Sequence, residues 1–124
     1  MDILAKVIQV VVAAGIFNVW LLRFGQSSDW RGGSAQNMTE EFVVYGLPRW
    51  FMVVIGVLKV VFACLLIAGI WLPKLVPLAG GAIAVLMLGA VLMHVKVHDP
   101  VKKSAPAATM LALVLCAILL PGLQ

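Results

Sequence analysis

Charged residues are scarce in this chain. Only 11% of its 124 residues are Asp, Glu, Lys or Arg, whereas 64% are hydrophobic. Water-soluble domains carry a charged share of about 25%, so the composition excludes a soluble globular domain and predicts an integral membrane protein within the lipid bilayer. The basic residues form no patch interleaved with aromatic residues, so no nucleic-acid partner is predicted.

Cysteine is also rare. The two cysteines, Cys64 and Cys116, lie far apart and show no Cys-x-x-Cys spacing, so the sequence lacks both a thioredoxin-like motif and a cysteine-based zinc site. Each cysteine falls inside an apolar stretch, where a buried structural role is expected. A disulfide between them remains an alternative.

Apolar residues fill most of the chain. They form four stretches near residues 3–22, 50–72, 75–94 and 105–123, and a helix needs about 20 such residues to cross a bilayer. The first stretch is longer than the core of a signal peptide, which has about 7–15 residues. The prediction is therefore all-α: a single transmembrane domain over residues 1–124, built as a four-helix bundle.

The basic residues are distributed unevenly among the connections. Two lie on the side of the termini, Lys6 and Lys74, whereas the first and third connections contain a larger group: Arg23, Arg31, Arg49, Lys96, Lys102 and Lys103. Basic loops are usually cytoplasmic. Both termini are therefore predicted to lie outside the cytoplasm.

The long first connection contains the pattern of a short surface helix. Asn37 is followed three residues later by Glu40, as in a capping box, and Gly46 with Pro48 is typical of a helix end. Apolar residues recur within it at spacings of four and three: Met38, Phe42 and Tyr45. This face is expected to lie at the membrane interface or the mouth of the bundle, with Glu40 and Glu41 beside the entrance.

Lys59 is a charged residue in the middle of an apolar stretch. It stands inside the apolar run 51–72, ten residues or more from Arg49 and Lys74. A lysine at the centre of a membrane helix costs about 2.5–3.5 kcal/mol, so it usually has a partner, a cavity or a function. The open alternatives are a buried ion pair with Glu40 or Glu41, loss of the proton by desolvation, and a ligand pocket.

Helical spacing places other polar residues on faces rich in small side chains. Asn18 shares a face with Gly15 and Leu22, and Lys59 shares one with Gly56 and Ala63. His94 and His98 continue a similar face on the third span. Small residues mark the packed interior of membrane bundles, so an internal polar pocket is predicted. Its candidate ligand-binding residues are Asn18, Lys59, His94, Glu41 and Glu40.

Structural roles compete with these functional ones. Asn18 could form a hydrogen bond between helices. His94 and His98 have the spacing of metal ligands, but no third ligand accompanies them and Asp99 is expected about 100° away around the helix, so no metal site is predicted. The four tryptophans fall near span boundaries and are expected to be interfacial anchors: Trp20, Trp30, Trp50 and Trp71.

Several short segments together resemble the DoxX-like family of small four-helix membrane proteins. They are Phe17-Asn-Val-Trp-Leu-Leu-Arg23, Trp30-Arg-Gly-Gly33, Glu41-Phe-Val-Val-Tyr-Gly-Leu-Pro48, Gly56-Val-Leu-Lys59, Gly69-Ile-Trp-Leu-Pro73 and His94-Val-Lys-Val-His-Asp-Pro100. The resemblance implies a bundle in the bacterial cytoplasmic membrane that works with thiol-redox or oxidative-stress systems. A soluble redox partner would supply the redox cofactor.

The function expected from this resemblance is a redox-linked accessory subunit with a quinone-like or lipid ligand in the polar pocket. A homodimer could complete that pocket. The alternatives are a small transporter or a membrane scaffold without catalytic activity. Cation export is disfavoured because the first span lacks an acidic residue. A glutathione-handling enzyme would use arginines at the helix ends, and Arg23 and Arg49 are available for that role.

Overall fold

The computed structural model describes residues 2–123; residues 1 and 124 of the predicted domain lie outside this range. The elements are α1 (Asp2–Phe17) with a π-helical turn (Asn18–Leu22), α2 (Met38–Val44), α3 (Arg49–Ala68), α4 (Leu75–Lys96), and α5 (Val101–Leu119) with a 3-10 turn (Leu120–Leu123). Four helices are long and apolar enough to span a membrane. The predicted all-α four-helix bundle with a short helix in its first loop is confirmed.

Several span boundaries differ from the prediction, and two of them lie next to prolines. α3 ends at Ala68 rather than at residue 72, because the chain turns over the next residues toward Pro73. α5 begins at Val101 rather than at residue 105, directly after Pro100, and contains Pro106 in its interior. Pro106 is exposed and close to the helix start, where the carbonyl that loses its partner can still be solvated.

The four long helices pack in a ring, in which α1 and α4 each contact both α3 and α5. The largest fully buried side chains lie at its centre: Val12, Ile16, Leu66, Ile83 and Val114. A buried side-chain hydrogen bond joins α1 to α3, because Gln9 Nε2 donates to the carbonyl of Leu66 at 2.9 Å. Gln9, rather than Asn18, therefore links two helices within the apolar layer.

Cys64 and Cys116 do not have the role expected of them. Both are free, so they form no disulfide, and both are exposed on the outside of the bundle rather than buried. Each lies on a spanning helix, so its exposed thiol faces lipid. The prediction of buried structural cysteines was wrong because neither residue lies on the inward face of its helix.

The π-helical turn at the end of α1 changes the direction of the side chains that follow it. The Arg23 N–H donates to the Asn18 carbonyl at 2.8 Å, one residue farther back than in an α-helix. Leu22, which was expected on the face of Asn18, is 72% exposed, whereas Trp20 points inward and is 9% exposed. Trp20 is therefore not the interfacial anchor that was predicted, although the other three tryptophans are exposed.

The short helix α2 lies across the end of the bundle where the first and third connections meet. Its predicted cap is confirmed, since Asn37 Oδ1 accepts the Glu40 N–H at 2.9 Å. The predicted apolar face, Met38, Phe42 and Tyr45, is buried. Phe42 packs edge-on against Trp20 with ring centroids 6.0 Å apart, so α2 covers the end of the interior.

Candidate functional site

A cavity of about 580 Å³ lies between the four long helices and beneath α2. This volume lies within the range of about 300–1,000 Å³ that is usual for small-molecule sites. Most of its wall is apolar, including Ile16, Ile55, Met87 and Met110. Four of the five predicted ligand-binding residues line it: Asn18, Lys59, His94 and Glu41.

Lys59 reaches the cavity from the middle of α3. Its Nζ lies 5.3 Å from the centroid of the Trp20 ring, within range of a cation–π interaction. Gly56 makes room for that ring, since an added Cβ there would lie 2.6 Å from Trp20 Cζ3. Among the side chains that the structure describes, none forms a hydrogen bond or an ion pair with Lys59.

Glu41 pairs with Arg31 instead of Lys59. Arg31 Nη1 donates to Glu41 Oε2 at 2.9 Å, and the two side chains are 6% and 13% exposed. The rest of the guanidinium is also bonded, with Nε donating to the Gln26 carbonyl at 2.7 Å and Nη2 to the Arg23 and Phe24 carbonyls. The first loop therefore wraps around the Arg31 side chain, which holds the Glu41 carboxylate in place.

The third connection brings Asp99 against His94. His94 Nδ1 and Asp99 Oδ2 are 2.7 Å apart. The expectation that Asp99 would point away was wrong because α4 ends at Lys96 and His98 takes a left-handed φ of 59°, which turns the chain back. The Asp99 N–H then donates to the His94 carbonyl at 2.9 Å. His98 is exposed and does not share the face of His94.

Tyr45 connects the histidine to the carboxylate of Glu41. Its hydroxyl donates to Glu41 Oε1 at 2.7 Å and lies 3.4 Å from His94 Nε2. A tyrosine hydroxyl has only one proton, so Tyr45 can donate either to Glu41 or to His94 at one time. The contacts from Asp99 through His94 and Tyr45 to Glu41 could therefore carry a proton along the cavity wall.

Burial and neighbouring charges set the protonation of two groups in this region. Burial, reinforced by the Glu41 carboxylate, raises the pKa of Tyr45 well above its ordinary value of 10.0. Burial alone would also raise the pKa of Asp99, but the hydrogen bonds from His94 and the Gly33 N–H outweigh it and lower that pKa below its ordinary value of 3.8. Tyr45 is thus protonated and Asp99 ionised near neutral pH.

Residues 7–119 match the family model described as the DoxX-like family. The chain belongs to the DoxX-like family. The matched range runs from α1 to the last residue of α5 and includes every residue named above in the cavity wall. Neither the curated proteins nor the solved structures gave a match.

In this DoxX-like protein, Asp99 also ties the first and third connections together. Its Oδ1 accepts the N–H of Gly33 at 2.9 Å, and Lys103 Nζ lies 4.0 Å from the same oxygen. Lys103 Nζ also donates to the Gly33 carbonyl. Gly33 has a φ of 53°, which favours glycine at this contact. From α4, Lys96 Nζ donates to the Tyr45 carbonyl at 2.8 Å and so holds the end of α2.

Glu40 is the one predicted site residue that does not reach the cavity of this DoxX-like protein. Its side chain is exposed and caps the start of α2, accepting from Asn37 Nδ2 and the Gln36 N–H. The lining residues that sequence reasoning missed include Trp20, Arg31 and Tyr45. Tyr45 carried a signal, as the only tyrosine of the chain on the apolar face of α2. Arg31, in a polar glycine-rich loop, carried none.

Proposed function

We propose that this DoxX-like protein is a redox-linked accessory subunit that binds a quinone-like or lipid ligand in the cavity between its helices. The observation that supports this proposal is the cavity itself. It combines an apolar wall with a few polar groups, which is the usual composition of a small-molecule site. Among the described residues, Lys59 has no hydrogen-bond acceptor or ion-pair partner, so its amine is available to a ligand oxygen.

The polar groups lie where a ligand head group could exchange protons. His94, Tyr45 and Glu41 form consecutive contacts of 3.4 Å and 2.7 Å along the wall. A quinone changes its proton count when it is reduced, so it benefits from such neighbours. A soluble redox partner would supply the electrons, because the proposed role of this chain is to present the ligand.

The proposed location is a bacterial cytoplasmic membrane, with α2 and the third connection on the cytoplasmic side and both termini outside. The support is the concentration of basic residues in the first and third connections, since basic loops are usually cytoplasmic. Single cysteines at Ser34 and Leu72, both exposed, would be labelled with an impermeant maleimide in a variant whose Cys64 and Cys116 are replaced by alanine. Labelling of the Ser34 position from outside intact cells would reverse the proposed orientation.

Ligand retention provides the test of function. Gly89 lines the cavity, and a Cβ added there would meet no atom within 4 Å. Gly89→Phe should therefore fill the cavity without disturbing the backbone. Gly81 on the same helix is equally open but does not line the cavity, so Gly81→Phe is the matched control.

Purified wild-type protein and both variants would be extracted, and the released quinones and lipids identified by mass spectrometry. We expect a specific compound in the wild type and in Gly81→Phe, and at least about a tenfold loss in Gly89→Phe. Equal retention in all three proteins would show that the compound binds elsewhere. Electrogenic flux in proteoliposomes, without a retained ligand, would favour a transporter instead.

A further inference from the structure

The charges that line the cavity are strongly unbalanced. Among the described residues, its wall has four cationic side chains and one carboxylate, Glu41; the cations are Arg23, Arg31, Lys59 and Lys103. A low-dielectric cavity strengthens the interaction of such charges with anything that enters. The lining therefore favours an occupant that brings negative charge.

The carboxylates near the cavity are already engaged. Glu41 accepts from Arg31 at 2.9 Å and from the Tyr45 hydroxyl at 2.7 Å. Asp99, next to the wall, is held by His94 and by the Gly33 N–H. Neither is within ion-pair distance of Lys59. Among the described residues, Lys59, near the middle of α3, thus has a cation–π contact with Trp20 and no ion-pair partner.

From this imbalance we infer that the cavity takes a single-chain amphiphile with a carboxylate head group, and that the carboxylate pairs with Lys59 Nζ. The inference rests on the proposed function and narrows its ligand class. A single ammonium matches a monoanion. Lysine binds phosphate as a point charge, whereas arginine forks supply the bidentate contacts that favour a phosphate group. The guanidinium of Arg31 is already bonded to Glu41 and to three backbone carbonyls, and Arg23 is exposed.

The apolar part of the cavity provides a place for the chain of such a molecule. The wall continues along α4 and α5 through Leu86, Ala90, Ala107 and Met110. Val85 also lines the cavity and is 69% exposed, so it forms part of the rim on the lipid-facing surface. An amphiphile dissolved in the bilayer could therefore enter sideways, with its head group directed toward Lys59.

Three probes with the same chain and different head groups test the inference: laurate, methyl laurate and laurylamine. Their binding to the protein in non-ionic detergent near neutral pH would be measured by native mass spectrometry. We expect laurate to bind at least about tenfold more tightly than methyl laurate, equivalent to about 1.4 kcal/mol, and laurylamine to bind most weakly. Equal affinity for all three would overturn the inference.

Variants test whether the preference for laurate depends on Lys59. Lys59→Met keeps the aliphatic stem but removes the charge, so laurate should lose about tenfold in affinity while methyl laurate is unchanged. Lys74 is exposed in the connection between α3 and α4 and does not line the cavity, so Lys74→Met should bind laurate like the wild type. If Lys59→Met does not fold, Lys59→Arg should fold and retain the preference for laurate.

The results distinguish failure of the carboxylate inference from failure of the proposed function. If laurate and methyl laurate bind equally and Gly89→Phe blocks both, the cavity accepts amphiphiles without regard to charge; the proposed function stands and this inference is wrong. If no probe binds and no quinone or lipid is retained by the wild type, both proposals are wrong. A laurate preference that survives Lys59→Met would also overturn the assignment to Lys59.

Discussion

Replacing Arg31 by methionine should destabilise the protein more than any other single exchange in the first loop. Methionine keeps much of the length of arginine but removes all its donors. Among the described residues, the Glu41 carboxylate would then keep the Tyr45 hydroxyl as its donor. The Gln26 carbonyl would lose its partner, whereas the carbonyls of Arg23 and Phe24 would each lose one of two donors and keep a backbone N–H. Both charged side chains are largely buried, so water could not easily replace these bonds.

Removing one partner of a buried ion pair costs about 3–5 kcal/mol, because the other charge remains buried without compensation. We expect Arg31→Met to lower the free energy of unfolding by that amount. Glu41→Gln should cost less, about 1–3 kcal/mol, since Arg31 would keep its three carbonyl acceptors. In the double variant the loss should fall short of the sum by about 0.5–3 kcal/mol, as residues in direct contact do not act independently.

Unfolding by a denaturing detergent in mixed micelles, followed by tryptophan fluorescence, provides the measurement. Arg49→Met is the matched control, because Arg49 is exposed and the same side chain is exchanged. The control should change stability by no more than about 0.5 kcal/mol. An Arg31→Met variant as stable as this control, or single-variant losses that simply add, would show that the Arg31–Glu41 pair does not stabilise the first loop.

Two further predictions concern close packing and acid stability. Gly56→Ala should cost about 1–3 kcal/mol of unfolding free energy, because the new Cβ would lie 2.6 Å from the rigid ring of Trp20. Gly15→Ala should cost less, because its Cβ would meet the flexible end of Met110. Thermal melting of the two variants would compare their stabilities. The pKa of Asp99 is lower in the folded state, so its stabilising effect is complete above about pH 4 and is lost as the pH falls through the folded value. The stability difference between wild type and Asp99→Asn should therefore shrink below about pH 4, and a difference that grows with acidity would contradict this sign.

The sequence was sufficient to predict the spans. A helix that crosses a bilayer must be long and apolar, and soluble proteins rarely contain apolar runs of that length. The short helix α2 was also predictable, because a local capping signal at Asn37 and a helix stop near Pro48 specify it. Helix boundaries were harder to predict near prolines. Pro106 was expected in the first turn of a helix that starts at residue 105, whereas α5 starts at Val101 and has Pro106 in its second turn.

The contacts at the cavity were much harder to predict. Periodicity predicted inward positions for Asn18, Lys59 and His94, and all three line the cavity, but Asn18 is exposed. It could not place Asp99, since a single left-handed residue at His98 reverses the chain after α4. Nor could it anticipate the π-helical turn that directs Trp20 inward. Both deviations are local changes of backbone geometry that leave hydropathy unchanged.

The pairing of Arg31 with Glu41 has a consequence for the ligand. Glu41 lines the same cavity as Lys59, so a Glu41 carboxylate released from Arg31 would be attracted to the unpaired ammonium. Arg31→Met should therefore weaken laurate binding about tenfold, although its effect would act through Glu41. Adding Glu41→Gln should restore part of that affinity, because it removes the competing carboxylate. If the double variant binds laurate no better than Arg31→Met in the native mass spectrometry assay, competition by Glu41 is not the cause, and Arg31 acts only by holding the loop in place.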